Sequence, residues 1–119
     1  MGIQIFKQNL KYILCIALPT IYFSGAHAAS DNLNARMLAK QNACLGCHAV
    51  DKKVVGPSFQ AVAKKYLNEP NAKIFLKNKI LKGGSGSWGV VPMPANTKLS
   101  DDDLSVLVAW ILDGAPGAN

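Results

Sequence analysis

Apolar residues recur at helical spacing along most of the second half of the chain. Between 101 and 113, Leu104, Leu107, Val108 and Ile111 fall at i, i+3, i+4 and i+7, and Trp110 adds a large apolar contact. Ser100 stands where an N-cap is needed. Asp101, Asp102 and Asp103 follow it at the positive end of the helix dipole, so a capped helix explains the acidic run better than a metal site does. Gly114 ends this helix, and residues 115–119 are expected to fray. A second helix is predicted over 72–82, with Ile74, Phe75, Leu76, Ile80 and Leu81 apolar and Gly83-Gly84 as its stop. A shorter one follows Ser58 as cap, with Phe59, Val62, Ala63 and Tyr66 apolar and Lys64 and Lys65 on its wet side. Upstream, Ser30-Asp31 opens a helix with Leu33, Met37 and Leu38 close to one face, and this helix runs into Cys44. Val54-Val55 and Val90-Val91 are too short for strands, so the expected fold is all-α, with four or five short helices.

The N-terminal pattern is of another kind. Lys7 and Lys11 precede an apolar run over 12–23, interrupted by Pro19, and Ala26-His27-Ala28 has the small-x-small form of a cleavage site. Twelve apolar residues fall short of the ~20 that span a bilayer, so residues 1–28 read as a cleaved secretory signal rather than an anchor. Leu14 is too bulky before Cys15 for a lipoprotein site, which leaves Cys15 as part of the apolar run. Residues 29–119 then form one domain, small enough to bury only a modest core. Of the chain's 13 basic and 7 acidic side chains the signal carries two Lys, which leaves 11 against 7, a net +4. Long basic runs with interleaved aromatics are absent, so nucleic acid is not an expected partner.

The chemistry concentrates in Cys44-Leu45-Gly46-Cys47-His48. Cys-x-x-Cys-His is the attachment signature of c-type haem. Two thiols three positions apart on one helical turn can each add to a haem vinyl group. The following imidazole then reaches the iron as proximal ligand. A thioredoxin-like pair would sit beside a βαβ pattern, which does not follow. A structural zinc site needs four ligands, and after loss of the signal only Cys44, Cys47 and His48 remain. A plain disulfide is the third alternative.

A second iron ligand is available downstream. Residues 29–119 contain one His, which excludes a bis-His pair, and two Met, Met37 and Met93. Met37 lies on a packing helix, where Met is most often core filler. Met93 stands in Pro92-Met93-Pro94, where two prolines fix φ on either side and restrict the residues before them. The preceding Gly83-Gly84-Ser85-Gly86-Ser87-Trp88-Gly89 has the composition of a flexible linker, but Trp88 inside it and the rigid Pro-Met-Pro after it argue against that. Met93 is therefore the expected distal ligand.

These runs, with Val55-Gly56-Pro57, the Trp88-Gly89-x-x-Pro92-Met93-Pro94 segment and Ala109-Trp110-Ile111-Leu112, resemble the small bacterial class I cytochromes c of the cytochrome c-551/c-552 type. The resemblance spans nearly all of residues 29–119. It implies helices wrapped around one covalently attached haem c, with His48 and Met93 as axial ligands. It further implies that the Pro57 carbonyl accepts from the His48 ring. Trp88 and Lys79 would face haem propionates, and Asn96 would donate toward the Met93 sulfur. Ala95 replaces a second proline that the family often carries, and the chain extends past the family's usual end. The implied function is a periplasmic, monomeric, one-electron carrier with no membrane anchor and no enzymatic activity. A cytochrome c oxidase, a nitrite reductase, a cytochrome c peroxidase or a bc1-type donor would suit it as partner. Lys52, Lys53 and Lys98 are candidates to steer an acidic one. A small haem peroxidase or gas-sensing haem protein would need an open iron position, against which Met93 stands. A detached haem domain serving as a tethered subunit is not supported by so short a C-terminal extension.

Overall fold

The structure is a computed structural model and describes residues 26–117. Four helices follow one another: α1 (Ala26–Gln41), α2 (Phe59–Tyr66), α3 (Ala72–Lys82) and α4 (Asp101–Leu112), with a 3-10 turn at Cys44–Gly46 between the first two. Among the described residues, pairing of extended backbone is confined to two isolated bridges, His48 with Lys53 and Gly84 with Met93. The all-α expectation is met. The expected signal lies almost wholly outside the described residues; α1 already begins at Ala26, two residues before the signal's expected end, so Ser30 and Asp31 are inside the helix rather than at its cap.

Helix α4 packs against each of the other three. Its predicted stripe is the core: Leu104, Leu107 and Val108 are fully buried and Trp110 and Ile111 nearly so. Burial of such side chains contributes about 1.5–3 kcal/mol each. Ser100 caps α4 by accepting from the Asp103 amide at 3.1 Å, and Ser58 caps α2 by accepting from Ala61 at 3.1 Å. The next donors of α2 are also occupied, because the amides of Phe59 and Gln60 reach the carbonyls of Ala49 and Val50 at 2.9 and 3.0 Å. Those bonds dock the segment after the Cys motif onto the start of α2.

Two expectations are corrected. The buried face of α1 consists of Ala35 and Ala39, both fully buried, with Leu38 beside them. Leu33 and Met37 are 60% and 49% exposed. Alanines one turn apart let α1 approach α4 closely, and the longer side chains flank that contact instead of filling it. Met37 is therefore not core filler. The C-terminal residues also do not fray before Gly117. Ala115 is fully buried, its amide donates to the Trp110 carbonyl at 2.9 Å, the Trp110 indole N–H donates to the Pro116 carbonyl at 3.1 Å, and Arg36 Nη1 donates to the Gly117 carbonyl at 3.0 Å.

Candidate haem-binding site

Cys44 and Cys47 lie at either end of one tight turn. Ala43 before it is left-handed (φ 57°), and the amides of Cys47 and His48 both donate to the Cys44 carbonyl, at 3.2 and 2.9 Å. The turn leaves two half-buried free thiols. Burial pushes the Cys44 thiol up; a hydrogen bond from its own backbone N–H works against that, and Cys47 adds a smaller upward push.

Position and orientation of the next residue are set by its neighbours. The amides of Val55 and Gly56 fold back onto the Cys47 carbonyl at 3.2 and 2.8 Å, which brings Pro57 beside the imidazole. His48 Nδ1 is 2.7 Å from the Pro57 carbonyl oxygen. A carbonyl can only accept, so Nδ1 donates, and Nε2 is the ring nitrogen left to face a ligand. Phe59 stacks on the ring, with centroids 5.4 Å apart and planes 14° from parallel, and Trp110 meets Phe59 edge-on at 5.3 Å. An aromatic ladder thus links the core of α4 to His48.

The opposite edge of the site is the segment 83–94. Its amides and carbonyls are tied rather than loose: Gly84 N–H donates to the Met93 carbonyl at 2.9 Å and Met93 N–H to the Gly84 carbonyl at 3.0 Å. Gly83 is left-handed (φ 65°), and a Cβ there would strike the Met93 carbonyl oxygen and stand 2.7 Å from the Ala95 nitrogen. Met93 is therefore fixed by backbone bonds in addition to its two prolines. Between the two segments lies a cavity of about 510 Å³. Cys44, Cys47, His48, Pro57, Lys79, Trp88 and Met93 all line it, and Phe59, Val62, Leu76, Ile80, Leu107 and Ile111 bring the core to its walls. A large apolar chamber with two thiols, an imidazole whose Nε2 is free and a thioether from a separate segment fits a covalently attached, flat, iron-centred cofactor.

The family description Cytochrome c matches residues 33–115. The chain belongs to the cytochrome c family. Cytochrome c-552 of Nitrosomonas europaea is 48% identical over 75 residues, 63% of this chain and 73% of that one. Cytochrome c-551 of Allochromatium vinosum is 39% identical over 90 residues, 76% of this chain and 96% of its own. The crystal structure of wild-type Nitrosomonas europaea cytochrome c552 aligns with a TM-score of 0.63 at 46% identity, over 66% of this chain and 96% of that one. The fold is thus that of a class I cytochrome c, the cofactor is covalent haem c with Cys44 and Cys47 in its attachment motif, and the chain is a small electron-carrying haem protein.

The remaining expected site residues divide. Lys79 Nζ donates to the Ser85 carbonyl at 3.4 Å, at the edge of the cavity. Trp88, 42% exposed, sits at the rim of the cavity. Asn96 is not among the residues that line the cavity, and its Nδ2 donates to Asn42 Oδ1 at 3.1 Å. Two further residues with contacts to the loop 83–94 or to Asn96 carried no signal of their own. Lys65, placed on the wet side of α2, reaches across to the loop, donating to the Ser87 carbonyl at 2.6 Å with its ammonium 4.5 Å from the centre of the Trp88 ring. Asn42 reads as one more polar residue at a helix end.

Proposed function

We propose that the protein is a periplasmic one-electron carrier whose haem is attached through Cys44 and Cys47 and whose iron is held by His48 and Met93. The observation that carries this reading is the single cavity shared by a proton-fixed imidazole and a tethered thioether. Bound haem supplies a one-electron iron couple. The Pro57 carbonyl holds His48 in one tautomer, leaves Nε2 to ligate and raises its basicity. Met93, as a weak sulfur donor, favours ferrous iron. The apolar walls oppose the extra positive charge of the ferric state in the same direction. With His48 and Met93 both holding the iron, small ligands would be kept out. Trp88 and Lys79 would hold propionates at the rim.

The expected signal over 1–28 supports the periplasm as location, with residues 29–119 as the mature domain; among the described residues no helix is long and apolar enough to cross a membrane. The partners proposed are acidic redox proteins of the kinds named above, met by the exposed Lys52, Lys53 and Lys98 in brief, salt-sensitive encounters. The ligand pair is tested in ferric holoprotein by the near-infrared band of sulfur-to-iron charge transfer. Met93→Ala should abolish the band, lower the potential and open the iron to carbon monoxide. Rapid carbon monoxide binding by the unaltered protein at neutral pH would instead favour a haem peroxidase or gas sensor.

A further inference from the structure

We propose that Asn42 is a positioning residue for Met93: through its amide pair with Asn96 it governs how firmly the thioether holds the haem iron. The inference rests on the His48/Met93 reading above. Asn42 follows the end of α1 and lies two residues before Cys44. Its backbone N–H and its Nδ2 both donate to the Leu38 carbonyl, at 3.0 and 2.9 Å. Asn96 lies three residues after Met93. Its backbone N–H donates to the Ile80 carbonyl at 2.9 Å, and its Oδ1 accepts from the Lys98 amide at 3.2 Å.

These backbone partners dictate which way each side-chain amide faces. The Leu38 carbonyl can only accept, so Asn42 must turn Nδ2 to it and Oδ1 away. The Lys98 amide can only donate, so Asn96 must turn Oδ1 to it and Nδ2 away. The two side chains consequently meet donor to acceptor, at 3.1 Å across 54 positions of sequence, and neither can flip without breaking a backbone bond. Both are half-buried, where water competes poorly with the pair. The pair joins the segment carrying Cys44, Cys47 and His48 to the segment carrying Met93 by a route that does not pass through the iron. The upstream side of Met93 is already held by Gly84. Downstream, after Pro94, the chain has Ala95 where the resemblance would give a second proline, and Asn96 is the first anchored residue.

The test uses ferrous holoprotein, in which carbon monoxide can bind only after Met93 leaves the iron. Asn42→Leu keeps the volume and removes the acceptor. Carbon monoxide binding should accelerate about fivefold, the factor one ordinary hydrogen bond contributes, and the potential should fall. Asn96→Ala removes the same bond from the other side and should give the same increase, and the double variant should be no faster than Asn96→Ala alone. Asn42→Asp retains an oxygen acceptor and should stay close to the parent in rate, whatever happens to its melting temperature. Parent-like carbon monoxide rates in Asn42→Leu and Asn96→Ala, with lowered melting temperatures, would reduce the pair to scaffolding and overturn the proposal. Met93→Ala run in parallel separates the two ideas. If that variant leaves the near-infrared band and carbon monoxide binding unchanged, the ligand assignment itself fails. If it changes both while the asparagine variants change neither, only the positioning role falls.

Discussion

At position 56 a missing methyl group decides where the His48 ring points. A Cβ built on Gly56 falls on the ring Cε1 and stands 2.8 and 2.9 Å from Nδ1 and Nε2, inside van der Waals contact with all three atoms. The backbone there cannot retreat easily, because its amide is bonded to the Cys47 carbonyl at 2.8 Å. Gly56→Ala must therefore push the imidazole, and a pushed ring loses the 2.7 Å bond to Pro57 and the stack on Phe59 together. Overpacking of this kind costs about 1–3 kcal/mol. The expected result is a holoprotein with a lower melting midpoint and displaced His48 proton resonances at unchanged haem content. Unchanged resonances would show that the ring tolerates the methyl. Gly56-Pro57 is visible in the sequence as a turn, but nothing in it says that the turn must be empty on the side of the imidazole.

At the scale of elements, the loop 83–94 behaves as a strap with named fastenings. Gly86 N–H donates to the Gly89 carbonyl at 2.8 Å to close its outer bend, and Lys65 of α2 grips the adjacent Ser87 carbonyl and the Trp88 ring face. Lys65 is exposed, so its cation–π contact contributes only about 0.5–1 kcal/mol. Lys65→Met keeps the apolar stem and removes the ammonium. Faster amide hydrogen exchange at Gly86, with global stability lower by about 1 kcal/mol or less, is expected; an unchanged exchange rate would leave Lys65 as a solvated charge. How much of this was legible from sequence differs by element. Helices α2, α3 and α4 announced themselves through Ser58, Gly83 and Ser100 and through stripes that single helices carry. The face of α1 misled because Ala35 and Ala39 have no periodic bulk, and burial through close approach depends on the partner helix. The tail misled because Ala115 and Pro116 are held by Trp110 and Arg36, contacts made across the fold. Cys44, Cys47, His48 and Met93 stand in short local motifs, and the structure brings all four to one cavity. The contacts of Asn42 and Lys65 were not legible, because each bonds to a residue remote in sequence.

Across the whole molecule, the core and the haem chamber share their walls. Phe59, Val62, Leu76, Ile80, Leu107 and Ile111 belong to the core cluster and also face the cavity. Removal of the cofactor therefore takes contacts from the core itself. At roughly 24 cal/mol per Å³ of void, a cavity of 510 Å³ corresponds to about 12 kcal/mol. This is an upper figure, since the chamber opens to water and can partly collapse. Even half of it matches the 5–15 kcal/mol that holds an ordinary domain together. Protein made with Cys44→Ala and Cys47→Ala, and stripped of haem by acidic organic solvent, should show no cooperative heat-absorption peak and no near-ultraviolet signal from Trp110, whose packing against Phe59 depends on the same walls. Retention of haem through that extraction would contradict covalent attachment at the two thiols. A cooperative melt of the stripped chain near that of holoprotein would show that the helices carry the fold alone, and that the 510 Å³ chamber is a preformed container rather than part of the core.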